Sequence, residues 1–158
     1  MPGYQGHLLG GAVAFGVARF LLIPVLKDIS SIDAIYLTLT LLGSLFPDVD
    51  IKSKGQKIFY SIAFVVASIA IAKQIWSCLS WLGIICFIPL ALPHRGPMHN
   101  PYVLIATPWI LSYSVQKIFP SISKISPLFH FFFIIGAVSH LLLDFGLKKT
   151  IQKLFFLK

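Results

Sequence analysis

The sequence predicts an all-α protein: a polytopic membrane bundle of about six hydrophobic helices that ends in a basic amphipathic segment. Two observations of composition and one of pattern predict it. The 158 residues are 57% hydrophobic, with a mean hydropathy of +0.87. Only 11% are charged, where a soluble domain carries about 25%. The apolar residues gather into six runs with no internal repeat. A chain of this length is expected to form one membrane-embedded domain over residues 1–158.

The first run, His7 to Leu26, contains Gly10, Gly11, Ala12 and Gly16, with Gly6 just before it. Small residues at such spacings let membrane helices approach closely, and packing is the role expected of them. Arg19 within this run is expected to snorkel or to pair. The N-terminus lacks a basic n-region and the run is too long for a signal core, so the first helix is expected to be retained. Asp28 and Asp33 follow and read as a solvated loop. The second run, Ala34 to Phe46, and the third, Ile58 to Ala72, fall short of the about 17–25 residues that a crossing takes. Reaching into the interface, thinning the bilayer or forming a shallow hairpin would accommodate them.

The fourth run, Ile75 to Leu92, holds both cysteines. Eight residues of helix separate Cys78 and Cys86 by about 12 Å, too far for a bridge. The fifth run, Tyr102 to Phe119, has a kink expected at Pro108. The sixth runs from Leu128 to Phe145. In the tail, residues 147 to 158, Leu147, Ile151, Leu154 and Phe155 share one helical face and lysines occupy the others. That pattern reads as a basic helix lying on an anionic leaflet.

Ionisable residues cost about 2.5–3.5 kcal/mol each in a membrane segment on insertion scales and are functional suspects. Here they are His7, Asp48 and Asp50 in FPDVD, His94 and His99 in HRGPMH, and His140 and Asp144 in SHLLLD. If six helices cross, all seven fall at one membrane side. His130, beside three phenylalanines, is elsewhere and reads as structural. The same side collects eight basic residues (Lys52, Lys54, Lys57, Arg95, Lys148, Lys149, Lys153 and Lys158), against four or five opposite. The positive-inside rule then turns this side to the cytoplasm. The net charge of +8 does not form a stripe of exposed basic and polar residues, so no nucleic-acid partner is expected.

His140 and Asp144 stand i, i+4 on a helix, a spacing that offers two ligands to one ion. Pro47 prevents FPDVD from starting as regular helix, and a turn there could aim both carboxylates inward. Gly96 and Pro97 break regularity between His94 and His99, so both imidazoles can turn inward. Arg95 beside them offers a fork of donors to phosphate or carboxylate. Neutral imidazoles with carboxylates suit a divalent transition metal, zinc first and manganese second. Seven such groups exceed one tetrahedral zinc. They suit two or three ions, or one ion with supporting carboxylates and an open water position.

In order, an N-terminal His, LFPDVD, HRGPMH and GAVSHLLLD resemble the membrane-bound, metal-dependent hydrolases of bacterial inner membranes, one member of which is controlled by the DNA-damage repressor. The likeness spans nearly the whole chain. It implies an inner-membrane location and makes His7, Asp48, Asp50, His94, His99, His140 and Asp144 the metal-site candidates. Met98 and Asn100 stand where that family often has Thr and Ser.

The reading reached is a metal-dependent hydrolase of a phosphoester or lipid head group at the cytoplasmic membrane surface. The metal would activate a water, with Asp50 and Arg95 as catalytic groups. Two other classes compete. One is a metal-free lipid phosphatase with His140 as nucleophile and Asp144 orienting it. The other is a non-enzymatic metal-binding protein or ion carrier, which would place polar groups at mid-membrane depth.

Overall fold

The structure, a computed structural model, describes residues 3–26, 31–91, 97–118 and 126–155. They form helices and turns only: α1 (Tyr4–Leu21), α2 (Ile23–Leu26), α3 (Ser31–Leu45), α4 (Lys54–Ala72), α5 (Trp76–Ala91), α6 (Pro101–Ile118) and α7 (Pro127–Phe155). Two 3₁₀ turns, Phe46–Asp50 and Pro97–His99, join the set. This is the expected all-α membrane bundle.

The apolar surface is inverted relative to a soluble protein. Leu9, Phe20, Phe64 and Phe87 are 67%, 70%, 73% and 67% exposed, while Thr40, Ser44, His99 and His140 are fully buried. Hydrocarbon around the bundle makes this arrangement favourable, because no water-facing apolar area then results. Among the described residues, three helical segments are long and apolar enough to cross a membrane: Ile32–Asp50, Lys54–Ala72 and Pro127–Gln152. α5 is a shorter apolar helix. The second and third runs are therefore longer than the sequence suggested. The 3₁₀ turn continues α3 through FPDVD, and α4 begins at Lys54 behind the cap residue Ser53, whose Oγ accepts from Gln56 N at 3.0 Å.

Prolines and glycines shape the other elements. Pro24 has no N–H for the Phe20 carbonyl, and the first run breaks at Leu22 into α1 and α2. α6 continues through Pro108 as one helix, starting with Pro101. α7 is interrupted at Gly146 (φ 74, ψ 166), a conformation essentially reserved for glycine. The break separates the buried part of α7 from the lysine-rich tail. Thr150 Oγ1 ties the tail back, at 2.9 Å from the Gly146 carbonyl and 3.1 Å from that of Leu141. Leu147 and Ile151 remain exposed, as a lipid-facing stripe requires. The expected positions of Leu154 and Phe155 concern side chains outside the described set.

α1, α3 and α7 pack against one another as the inner trio, with the α4–α5 hairpin and α6 around them. The tightest crossing is between α3 and α7. A Cβ on Gly136 would overlap the Thr40 carbonyl, and one on Gly43 would overlap the Phe133 carbonyl. The two backbones touch there, which drives close packing in lipid. Of the α1 glycines, Gly11 meets Ser44 and Gly10 meets Leu143, but a Cβ on Gly16 would meet nothing within 4 Å.

Arg19 pairs rather than snorkels. Its Nε lies 3.1 Å from Asp33 Oδ1, both side chains being only 11% and 13% exposed. Asp33 is thus in the first turn of α3, not in a solvated loop; Asp28 lies outside the described residues. His130 joins α7 to α6 through Nε2···Ser112 Oγ at 2.6 Å and a stack on Trp109 at 4.2 Å. Cys78 and Cys86 are free thiols.

Candidate metal centre

Four helix ends meet at one end of the bundle, and together they deliver five ligand-type side chains. His7 sits in the first turn of α1, Asp48 in the 3₁₀ turn after α3, and His99 in the 3₁₀ turn before α6. His140 and Asp144 lie on the last two turns of α7 before its break. The α3–α7 contact places His140 against the end of α3. Gly136 opposes Thr40, and one turn further His140 Nδ1 donates to the Ser44 carbonyl at 2.7 Å.

That hydrogen bond fixes the chemistry of the ring. A carbonyl only accepts, so Nδ1 carries the hydrogen, and in the neutral ring Nε2 presents a lone pair. His140 Nε2 is buried and has no hydrogen-bond partner among the described residues. It lies 3.6 Å from Asp48 Oδ1 and 3.6 Å from Asp144 Oδ2. His99 Nε2 lies 3.8 Å from each of the same two oxygens. On the other side of the carboxylate, Asp144 Oδ1 is 3.5 Å from His7 Nε2. The His7 and His140 rings stack at 3.8 Å with planes 13° apart.

These separations can be set against two scales. Charge-assisted hydrogen bonds from nitrogen close to about 2.7–2.9 Å. Zinc bonds of about 2.0–2.2 Å at tetrahedral angles set donors about 3.3–3.6 Å apart. The observed 3.5–3.8 Å is on the second scale. The donors form two triplets, His7–His140–Asp144 and Asp48–His99–His140, each with ligand atoms within 4.8 Å of one another. Both include His140, whose single Nε2 lone pair serves one ion. The residues therefore fit one ion at His140. Asp144 reaches toward His140 and His99 with one oxygen and toward His7 with the other.

Asp50 ends the same turn as Asp48 and has a buried Oδ2, but it belongs to neither triplet. His94 and Arg95 lie outside the described residues.

A cavity of about 450 Å³ opens over the cluster. His7, Asp48 and Asp144 form its floor, and Tyr4, Lys52, Lys54 and Lys57 its rim. The 3₁₀ turn is held under it by two side chains from the start of α4. Ser53 Oγ donates to the Asp48 carbonyl at 2.7 Å, and Gln56 Nε2 donates to that of Val49 at 3.1 Å. Sequence reasoning missed Ser44, Ser53 and Gln56, because a supporting carbonyl or a turn clamp has no motif of its own. It counted the lysines of this side as topology signals and as a basic rim that attracts anions, without placing them around a cavity. The cap-type residue Ser53, shortly after FPDVD, was the available clue.

Among known families, the one described as YdjM inner membrane protein matches over residues 1–155. Searches of curated proteins and of solved structures return no match.

Proposed function

Given that the chain belongs to the YdjM inner membrane protein family, we propose that this membrane protein is a metal-dependent hydrolase acting on a phosphoester, such as a lipid head group, at the cytoplasmic surface of the bilayer. The observation that carries the reading is His140. Its hydrogen bond to the Ser44 carbonyl leaves Nε2 buried, bare and aimed at two carboxylates. A divalent cation is what makes that arrangement favourable.

Asp48, His99, His140 and Asp144 would hold the ion, zinc first and manganese second. His7 would steady Asp144 through Oδ1, and the Ser44 carbonyl would orient His140. A divalent ion in such a site supplies Lewis-acid polarisation and a nucleophilic water at neutral pH. Asp50 and Arg95 remain the proposed catalytic groups, Arg95 as a substrate contact, on the sequence argument given above. The rim lysines and the exposed Lys148 and Lys149 support a cytoplasmic orientation.

The rival classes fare less well. A nucleophilic His140 would have to approach an anionic phosphorus with its one bare nitrogen already faced by Asp48 and Asp144. A carrier needs ligands along its path, whereas the five ligand-type groups brought together here meet at helix ends on one side.

The test is elemental analysis of detergent-purified protein, wild type against His140→Ala, followed by a phosphoester panel with and without EDTA. About one zinc or manganese per chain, lost in the variant, together with EDTA-sensitive turnover, is the expected result. A metal-free wild type removes the reading. Metal without turnover on any phosphoester leaves the non-enzymatic metal-binding class in its place.

A further inference from the structure

The first turn of α4 breaks a local rule. A helix N-terminus carries partial positive charge and favours acidic residues. α4 has no acidic residue there but has Lys54 and Lys57, with Lys52 just before the cap. Real proteins break local preferences of this kind at functional or strained sites. The positive-inside rule explains lysines at this membrane side but does not require them to rim a cavity.

Yet these three do. Lys52, Lys54 and Lys57 line the cavity whose floor includes Asp144. The Asp144 side chain is 4% exposed, and its Oδ1 has no hydrogen-bond partner among the described residues. Lys54 Nζ is held at the mouth, 5.8 Å from the Tyr4 ring centroid. Ser53 couples the two halves of the cavity, since one hydroxyl caps the lysine-bearing turn and bonds the Asp48 carbonyl.

We propose that Lys52, Lys54 and Lys57, with the N-terminus of α4, form a phosphate-binding subsite that holds the substrate's phosphate against the metal cluster across one shared cavity. The inference rests on the metal reading, because Asp48 and Asp144 line the same space and repel a phosphate until a cation neutralises them. Metal and phosphate therefore bind with positive coupling. The ligand chemistry is a phosphate group, borne either by a membrane lipid or by a soluble phosphoester.

Isothermal calorimetry of inorganic phosphate binding to zinc-loaded, detergent-purified protein tests this. The triple variant Lys52→Ala, Lys54→Ala, Lys57→Ala is expected to weaken phosphate binding at least about tenfold, as loss of charge-assisted hydrogen bonds does, while zinc content stays at the wild-type level. Lys73→Ala, at the opposite end of α4, is the control and should change nothing. EDTA should weaken phosphate binding to the wild type. Equal phosphate affinity in the wild type and the triple variant overturns the subsite. A protein that holds no zinc but binds phosphate through the lysines removes the metal reading and leaves the subsite standing. Phosphatidylcholine nanodiscs with and without phosphatidic acid then separate the sources. Displacement of phosphate only by the phosphatidic-acid discs identifies a lipid, and its absence identifies a soluble phosphoester.

Discussion

Replacing Gly136 by alanine should damage the proposed metal centre without touching any of its candidate ligands. The added Cβ would overlap the Thr40 carbonyl, which is backbone and cannot swing away. α3 and α7 must then separate at their closest crossing. One turn along, the His140 Nδ1 to Ser44 carbonyl bond of 2.7 Å lies on the same seam. A shift of about 1 Å takes that bond beyond hydrogen-bonding distance. It also moves His140 and Asp144 on α7 away from Asp48, which follows α3. Overpacking of this kind costs about 1–3 kcal/mol of stability. Losing the bond that orients a ligating histidine costs about 10–100-fold in metal affinity. Competition with a zinc chelator reads the affinity, and a melting curve in the same detergent reads the stability. Gly16→Ala is the matched control, since its Cβ meets nothing within 4 Å. It should leave the metal in place and raise helix stability by about 0.5–1 kcal/mol. Wild-type zinc affinity in Gly136→Ala would refute the claim that the α3–α7 contact sets the site.

Further outcomes follow from the same geometry. His99→Ala and His140→Ala should each lose bound metal by elemental analysis, whereas His130→Ala should keep it and show only a lower melting temperature. Zinc at a hundred times its dissociation constant should stabilise the wild type by about 2.7 kcal/mol, a gain that EDTA reverses and His140→Ala lacks. Gly146→Ala, at φ 74, should cost about 1–3 kcal/mol and expose the tail to protease, because Thr150 loses its anchor. Arg19→Ala should destabilise by about 3 kcal/mol, and the double variant with Asp33→Leu should recover part of it by chemical denaturation.

The fold was legible because hydrophobic runs in lipid leave few alternatives. The six runs, the break before the tail and the spacing of His140 and Asp144 are direct consequences of helical period and glycine. The extension of α3 through FPDVD was hidden, because Pro47 suggested an end where the chain adopts a 3₁₀ turn. The meeting of His7, Asp48, His99, His140 and Asp144 followed from counting helices. The contact that brings them to coordination distance did not. Gly43 and Gly136 are single glycines in their runs, so their role depends on which helices pair. Arg19 and Asp33 were read apart because the loop between them gives no hint that their helices lie side by side.

A purely structural ion-pair network is the strongest competitor for this cluster, and distance is what weighs against it. Imidazolium rings at His99 and His140 would satisfy Asp48 and Asp144, and burial would then pull each pair to about 2.7–2.9 Å. Instead four imidazole–carboxylate separations stand at 3.6–3.8 Å. Neutral rings make matters worse without a cation, since the His140 lone pair then faces two carboxylates. Replacing both aspartates by asparagine separates the two accounts. A structural network would lose charge pairs and stability together. A metal centre would lose its ion, yet without zinc the double variant should melt no lower than the wild type, because two like charges facing one cluster have been removed.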